Sequence, residues 1–189
     1  MTGEATAPTE PPFRPVSEEL IYQGWIISVY KGRFEGPDGD QFDRDIVRHP
    51  GAVAAVAVDD DDHVFLVRQF RACVNAELWE IPAGKRDVAD EPPEVTAARE
   101  LEEEVGRRPD VIEPLLELYH SPGFCDEYGY IFLARGLTPV EQRLDGPEEL
   151  AMTVARVPAA EAVAMALDGR ITDAKSIAGI LAAARRLGW

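Results

Sequence analysis

One stretch constrains this chain more than any other: "PPEVTAARELEEEVG", Pro92 to Gly106. Pro92 and Pro93 suit the first turn of a helix, where a missing N–H costs little, and Gly106 suits the position just past its end. At about 100° per residue, with Glu100 at zero, Glu104 falls near about 40° and Glu103 near about −60°. Ala98, Leu101 and Val105 fall between about 100° and 160°. The helix expected over Pro92–Val105 therefore turns an apolar face to a sheet and presents three carboxylates beside it. Those carboxylates are badly placed for stability. A helix C-terminus carries partial negative charge, and Glu100 and Glu104 repel each other at i,i+4. A bound cation such as magnesium would turn the repulsion into ligation. A solvated acidic face on an acidic protein fits the same pattern, and the helix alone does not separate the two readings.

The flanks read mostly as strands. Leu20–His49 carries β-branched and aromatic residues on either side of the turn "EGPDGD". "AVAAVAV" (52–58) and "HVFLVRQF" (63–70) flank an acidic turn, Asp59–Asp62. That turn lacks the Gly and closing Glu of a calcium loop. "LWEIPAG", 112–120, 128–136 and 150–158 are further strand candidates, and helices are expected near 159–168 and 173–186. Mixed strands with few helices argue for a single α+β or α/β sandwich. Residues 1–16, rich in Pro, Thr and Glu, are expected to be a mobile, disordered tail.

The 189 residues carry a net charge of −16. Such a surface repels nucleic-acid backbones and anionic lipid, so neither is an expected partner. An anionic substrate would need a metal or a local arginine cluster to mediate. No run approaches the roughly 20 apolar residues that span a bilayer. The N-terminus lacks the basic start and apolar stretch of a signal peptide. Cys73 and Cys125 form no disulfide framework, which suits a cytoplasmic protein with reduced thiols.

Gly84, Glu91 and "RELEEEVG" (99–106) resemble the Nudix box, G-x5-E-x7-R-E-U-x-E-E-x-G-U with U apolar. The chain departs from it with six residues between Gly84 and Glu91, and with Arg107 at the last apolar place. The resemblance implies an α/β fold: a Nudix-type α/β/α sandwich with a mixed sheet and an N-terminal β region. It divides the chain into the tail 1–16, an N-terminal β region 17–50 for dimerisation and substrate binding, and a hydrolase domain 51–189. It implies a metal-dependent pyrophosphohydrolase. Glu100, Glu104 and the carbonyl of Ala83 would hold Mg²⁺, with Mn²⁺ as the alternative. Arg99 would orient the glutamates by charge-assisted hydrogen bonds, or form a simple i,i+4 pair with Glu103. Glu103 would sit close to the metal, and Glu91 would support the loop before the helix.

Nudix boxes do not name their substrate. "SPGFCDE" (121–127) is similar to the loop of the ADP-ribose pyrophosphatase subfamily, with Pro122 sixteen residues beyond Gly106 and Glu127 as its acidic residue. By the same resemblance Arg71 in "VRQFR" would bind phosphate, Trp25 would stack on adenine, and Arg44 would approach the ligand from the partner subunit. Trp25 could equally serve core or dimer packing. The loop "LDGPEELAMT" (144–153) matches the place of the general base, with Glu149 favoured over Glu148. The catalytic set is then Glu149, Glu103 and Arg99. The implied reaction is hydrolysis of ADP-ribose to AMP and ribose 5-phosphate by a homodimer. The alternative is another small nucleoside diphosphate compound, a nucleotide sugar or a dinucleoside polyphosphate.

Overall fold

A computed structural model describes residues 11–189. The chain forms two compact units. The first runs to His49 and takes in Ser121–Asp126; the second holds Pro50–His120 and Glu127–Trp189.

The first unit is an antiparallel sheet of β1 (Arg14–Gln23), β2 (Ser28–Glu35) and β3 (Gln41–Arg48), in that order. The expected single run from Leu20 is broken at Gly24, whose N–H donates to the Ile27 carbonyl. β1 begins at Arg14, inside the segment expected to be a mobile tail; Met1–Glu10 lie outside the described residues. Every residue of β1 is exposed, so its composition carries no core signature. The strand is held by its ladder to β2 and by ion pairs, Arg14 with Glu35 and Glu18 with Arg48. The 121–126 loop pairs with the end of β3: Val47 N–H donates to the Phe124 carbonyl (2.7 Å) and Asp126 N–H to the Val47 carbonyl (3.1 Å). Asp126 also accepts from Arg48 Nη1 and His49 N–H.

The second unit is built on β4 (Ala52–Val58), β5 (His63–Arg71), β6 (Ala76–Glu80), β7 (Ala83–Lys85), β8 (Arg107–Tyr119), β9 (Tyr128–Pro139) and β10 (Thr153–Pro158). The main path is β10-β5-β4-β9-β8, with β6 on β5 and β7 on β4. Only β4 and β9 run parallel among these pairs, so the sheet is mixed. β4 is apolar on both faces because both are covered. Val53, Ala55 and Ala57 join the cluster with Ala97, Leu101 and Val105 from the helix α1 (Pro93–Glu100) and its continuation. Ala54, Val56 and Val58 join the cluster with α3 (Ala159–Asp168) and α4 (Ala174–Leu187) on the opposite face. Alternation by twos along one strand thus fixes a three-layer α/β/α sandwich.

Two local features depart from the expected pattern. After Glu100 the helix continues as a π-helical turn, Leu101–Val105, and Ala97 rather than Ala98 joins the buried stripe. Residues 97, 101 and 105 stay aligned because the wider i→i+5 turn advances less per residue than an α-turn. Gly106 ends the helix at φ 66, a left-handed conformation that favours glycine, and a Cβ there would lie 2.9 Å from the Val140 carbonyl. The loop expected around Glu149 is also partly ordered, as the short helix α2 (Gly146–Leu150).

Candidate active site

The acidic cluster forms where α1 meets the turn between β6 and β7. Glu104 is only 4% exposed, and its carboxylate accepts the Ala83 N–H at 3.0 Å. Glu100 lies across Gly84, where a Cβ would come within 2.0 Å of its Cδ. Only glycine leaves room for that carboxylate, which gives Gly84 of the box a steric reason. Arg99 reaches Glu100 and Glu103 at 2.9 Å, Glu91 at 3.4 Å and Asp87 at 3.8 Å. It is therefore more than an i,i+4 partner of Glu103: one guanidinium gathers the carboxylates of the helix and of the loop before it.

Burial sets the electrostatics. It pushes the Glu104 carboxyl up to about 8; the Ala83 N–H opposes the rise, and Glu100 and Glu149 add to it. Burial likewise pushes Glu100 up to about 7, against Arg99 and with help from Glu103 and Glu149. Glu149 is half-buried and acts on both, whereas Glu148 is exposed. Glu149 Oε2 accepts the Asp145 N–H at 2.7 Å, which folds its side chain back over the start of α2.

Whether a cation suits these groups is a question of donor chemistry. Among the described residues no three His, Cys, Asp or Glu side chains are arranged to hold a metal ion. The expected set has two carboxylates and one carbonyl, below that count. It nevertheless fits a hard divalent cation. Buried Glu104, with half-buried Glu100 adding to the rise of its pKa, presents oxygen ligands and surplus negative charge, which such an ion takes.

Both groups have folded-state pKa values above the ordinary carboxylate value, so their ionisation opposes folding. Stability from this source is complete below the ordinary value and is lost as pH rises through about 7 and about 8. In chelator, the thermal midpoint should fall between pH of about 6 and about 9, and a divalent cation should remove most of that fall. The fall should shrink in Glu104→Gln. A flat profile in chelator would contradict the burial of this pair.

Arg71 is in the second unit, with its fork on Glu80: Nε to Oε1 at 2.7 Å and Nη2 to Oε2 at 2.6 Å. It also interacts electrostatically with Glu104. Trp25, Arg44 and Pro122 belong to the first unit and Glu127 to the second. Trp25 is 97% exposed, so it is not a core residue. Arg44 stacks over the Phe42 ring at 4.5 Å and donates to the Asp43 carbonyl. Glu127 accepts the His120 N–H through its carbonyl. Sequence reasoning missed Asp87, Glu80 and Lys175. Asp87 sits only twelve residues before Arg99 and was open to detection as another loop carboxylate. Lys175 and Glu80 are 95 positions apart, and no local signal links them.

The mixed sheet between helices sets a glutamate-rich helix against a glycine loop, the arrangement expected of the box residues. The chain belongs to the Nudix family: the family model described as NUDIX domain matches residues 48–179. Divalent-cation dependence is general to that family. The chain is 42% identical over 170 residues to the ADP-ribose pyrophosphatase of Mycobacterium tuberculosis, covering 90% of this chain and 82% of that protein. It is 37% identical to the ADP-ribose pyrophosphatase of Bacillus subtilis, covering 86% and 88%. A crystal structure of an ADP compounds hydrolase superposes with a TM-score of 0.82 at 21% identity, over 96% of this chain and 97% of that one, and has the same fold.

Proposed function

We propose that this enzyme hydrolyses the diphosphate of ADP-ribose to AMP and ribose 5-phosphate. Water adds to one phosphorus, the bond from that phosphorus to the bridging oxygen breaks, and the proton of the water is released. The observation that carries the reading is the similarity to the mycobacterial ADP-ribose pyrophosphatase. It spans 170 residues, more than the family-matched 48–179, so it extends into the N-terminal sheet.

In this reading Glu100, Glu104 and the Ala83 carbonyl hold Mg²⁺, with Mn²⁺ able to replace it. The cation supplies neutralisation of phosphate charge and acidification of water. Glu149 accepts the proton of the attacking water. Arg99 keeps Glu100 and Glu103 in place. Arg71 meets a phosphate, for which its planar fork is suited. Trp25 stacks on the adenine, and its exposure supports that role. Arg44, Pro122 and Glu127 complete the substrate contacts. Residues 17–50 serve dimerisation and binding, and 51–189 carry the chemistry. The exposed apolar side chains of β1, among them Leu20, Ile21 and Tyr22, support a homodimer formed through the N-terminal sheet. The enzyme works in the cytoplasm; no helix among the described residues is long and apolar enough to cross a membrane.

The test is a product assay on ADP-ribose, GDP-mannose, diadenosine polyphosphates and nucleoside triphosphates, with and without chelator. ADP-ribose should exceed the others in kcat/KM by about tenfold or more, the scale on which pocket contacts discriminate. A tenfold preference for any of the others transfers the proposal to that compound. Full turnover in excess chelator removes the metal-dependent reading altogether.

A further inference from the structure

The second unit buries another set of charges beside the acidic cluster. Glu80, at the end of β6, is 1% exposed. Arg71 closes on both of its oxygens, and Lys175 Nζ donates to Oε2 as well. Lys175 also pairs with Asp173 at 2.9 Å. Asp173 caps α4 by accepting from the Ser176 N–H at 2.9 Å and from its hydroxyl. Ser176 Oγ in turn accepts the Ile81 N–H at 2.8 Å. The last helix is thereby tied to the strand that carries Glu80, two residues before the Pro82–Ala83 turn.

Two cations and two anions make this set neutral. A buried ion set of this kind is weak evidence for stability, because desolvation offsets much of its Coulomb attraction. What it supplies is orientation. The fork on Glu80 uses Nε and Nη2 of Arg71, fixes the plane of the guanidinium, and leaves Nη1 on the outer edge. A long side chain held this way loses less freedom when it meets an anion than one that must first be ordered.

We propose that Glu80 and Lys175 are positioning residues that preset Arg71 for the diphosphate of the substrate: Glu80 by holding the fork, Lys175 by anchoring Glu80 to the N-terminus of α4. The inference rests on the reading of Arg71 as a phosphate-binding group given above. Orientation and simple charge make opposite predictions for Glu80→Gln. Loss of an anion beside Arg71 leaves the site more positive, which alone would tighten binding of a diphosphate. Loss of the two-pronged fork weakens it.

The experiment measures KM and kcat for ADP-ribose, and Kd for AMP by calorimetry in chelator. Glu80→Gln and Lys175→Met should each raise KM and Kd about tenfold with kcat within about twofold, the pattern of lost binding rather than lost chemistry. Lys175→Arg should restore most of the loss. In an Arg71→Ala background, Glu80→Gln should add nothing further to KM, because its target is gone. If Glu80→Gln does not fold, Lys175→Met decides on the same readings. A folded Glu80→Gln or Lys175→Met protein with parental KM and Kd overturns the inference, as does a loss confined to the fraction of folded enzyme. If Arg71→Ala itself leaves KM unchanged, the reading of Arg71 fails and the inference falls with it. If Arg71→Ala raises KM while the other two do not, only the inference falls.

Discussion

Glu104→Gln is expected to lower kcat by about 10³-fold while the metal-free protein melts no lower than the parent. The two halves of this result come from one fact, the burial of that carboxylate. The substitution keeps the shape, and the amide oxygen can still accept the Ala83 N–H that Glu104 accepts at 3.0 Å. It removes a charge that burial and Glu100 both oppose, so the metal-free fold gains at neutral pH and above. On the proposed reading of Glu104 as a metal ligand, the cation loses a ligand charge in the same stroke. Metal charge neutralisation contributes several kcal/mol in reactions of this type, and at about 1.36 kcal/mol per decade that gives roughly three decades. Turnover at saturating Mg²⁺, a metal-binding titration and melts in chelator check the three parts separately. Near-parental turnover would refute the role of Glu104, whatever the melts show. A sharply lower melting midpoint in chelator would mean that the charge supports the fold, against the direction that its burial requires.

The parts of this site that were legible in the sequence are those set by local spacing. Pro92, Pro93 and Gly106 mark the helix ends, and the i, i+3, i+4 positions of Glu100, Glu103 and Glu104 place three carboxylates together. No tertiary information is needed for either. The π-helical turn at Leu101–Val105 escapes such reasoning, because a fixed rotation per residue assumes an α-helix throughout. It put Ala98 on the buried face, where the structure has Ala97. The start of β1, placed in the expected tail, escaped for another reason: the strand's residues are all exposed, and its order comes from cross-strand partners in β2 and from Arg48. β8 starts at Arg107, ahead of the apolar run that signalled it, because its first residues pair with the end of β9. The sequence offered Arg71 as a cation for phosphate, but no sign of the Glu80 and Lys175 charges it is grouped with. Glu80 and Lys175 meet only because β6 and α4 meet, and neither residue type advertises a buried ion pair on its own.

The glutamate loop carries the remaining large effect. Glu149→Gln should lower kcat by about 10²–10⁴-fold, the usual contribution of a general base, with KM within a few-fold of the parent. Glu148→Gln should leave kcat within about threefold. The asymmetry has a structural basis. Glu149 is half-buried and close enough to disturb both Glu100 and Glu104, while Glu148 is exposed and disturbs neither to a comparable degree. In the present arrangement Glu149 also caps its own helix through the Asp145 N–H. That bond is local and easily exchanged, and Gly146, at φ 83, supplies backbone freedom next to it. The carboxylate can therefore leave the cap for a water when a cation has brought positive charge to the cluster. Because the cap is lost or weakened in the amide, a small drop in thermal stability is compatible with the proposal; a change in KM as large as the change in kcat is not. Single-turnover kinetics on the two variants, at saturating Mg²⁺, read the chemical step directly. If Glu148→Gln is the crippled one, the loop supplies the base from the exposed position and α2 must rearrange to do so. If both variants turn over normally, the proton goes elsewhere, and Glu103, held at 2.9 Å by Arg99, is the next carboxylate of the box to test.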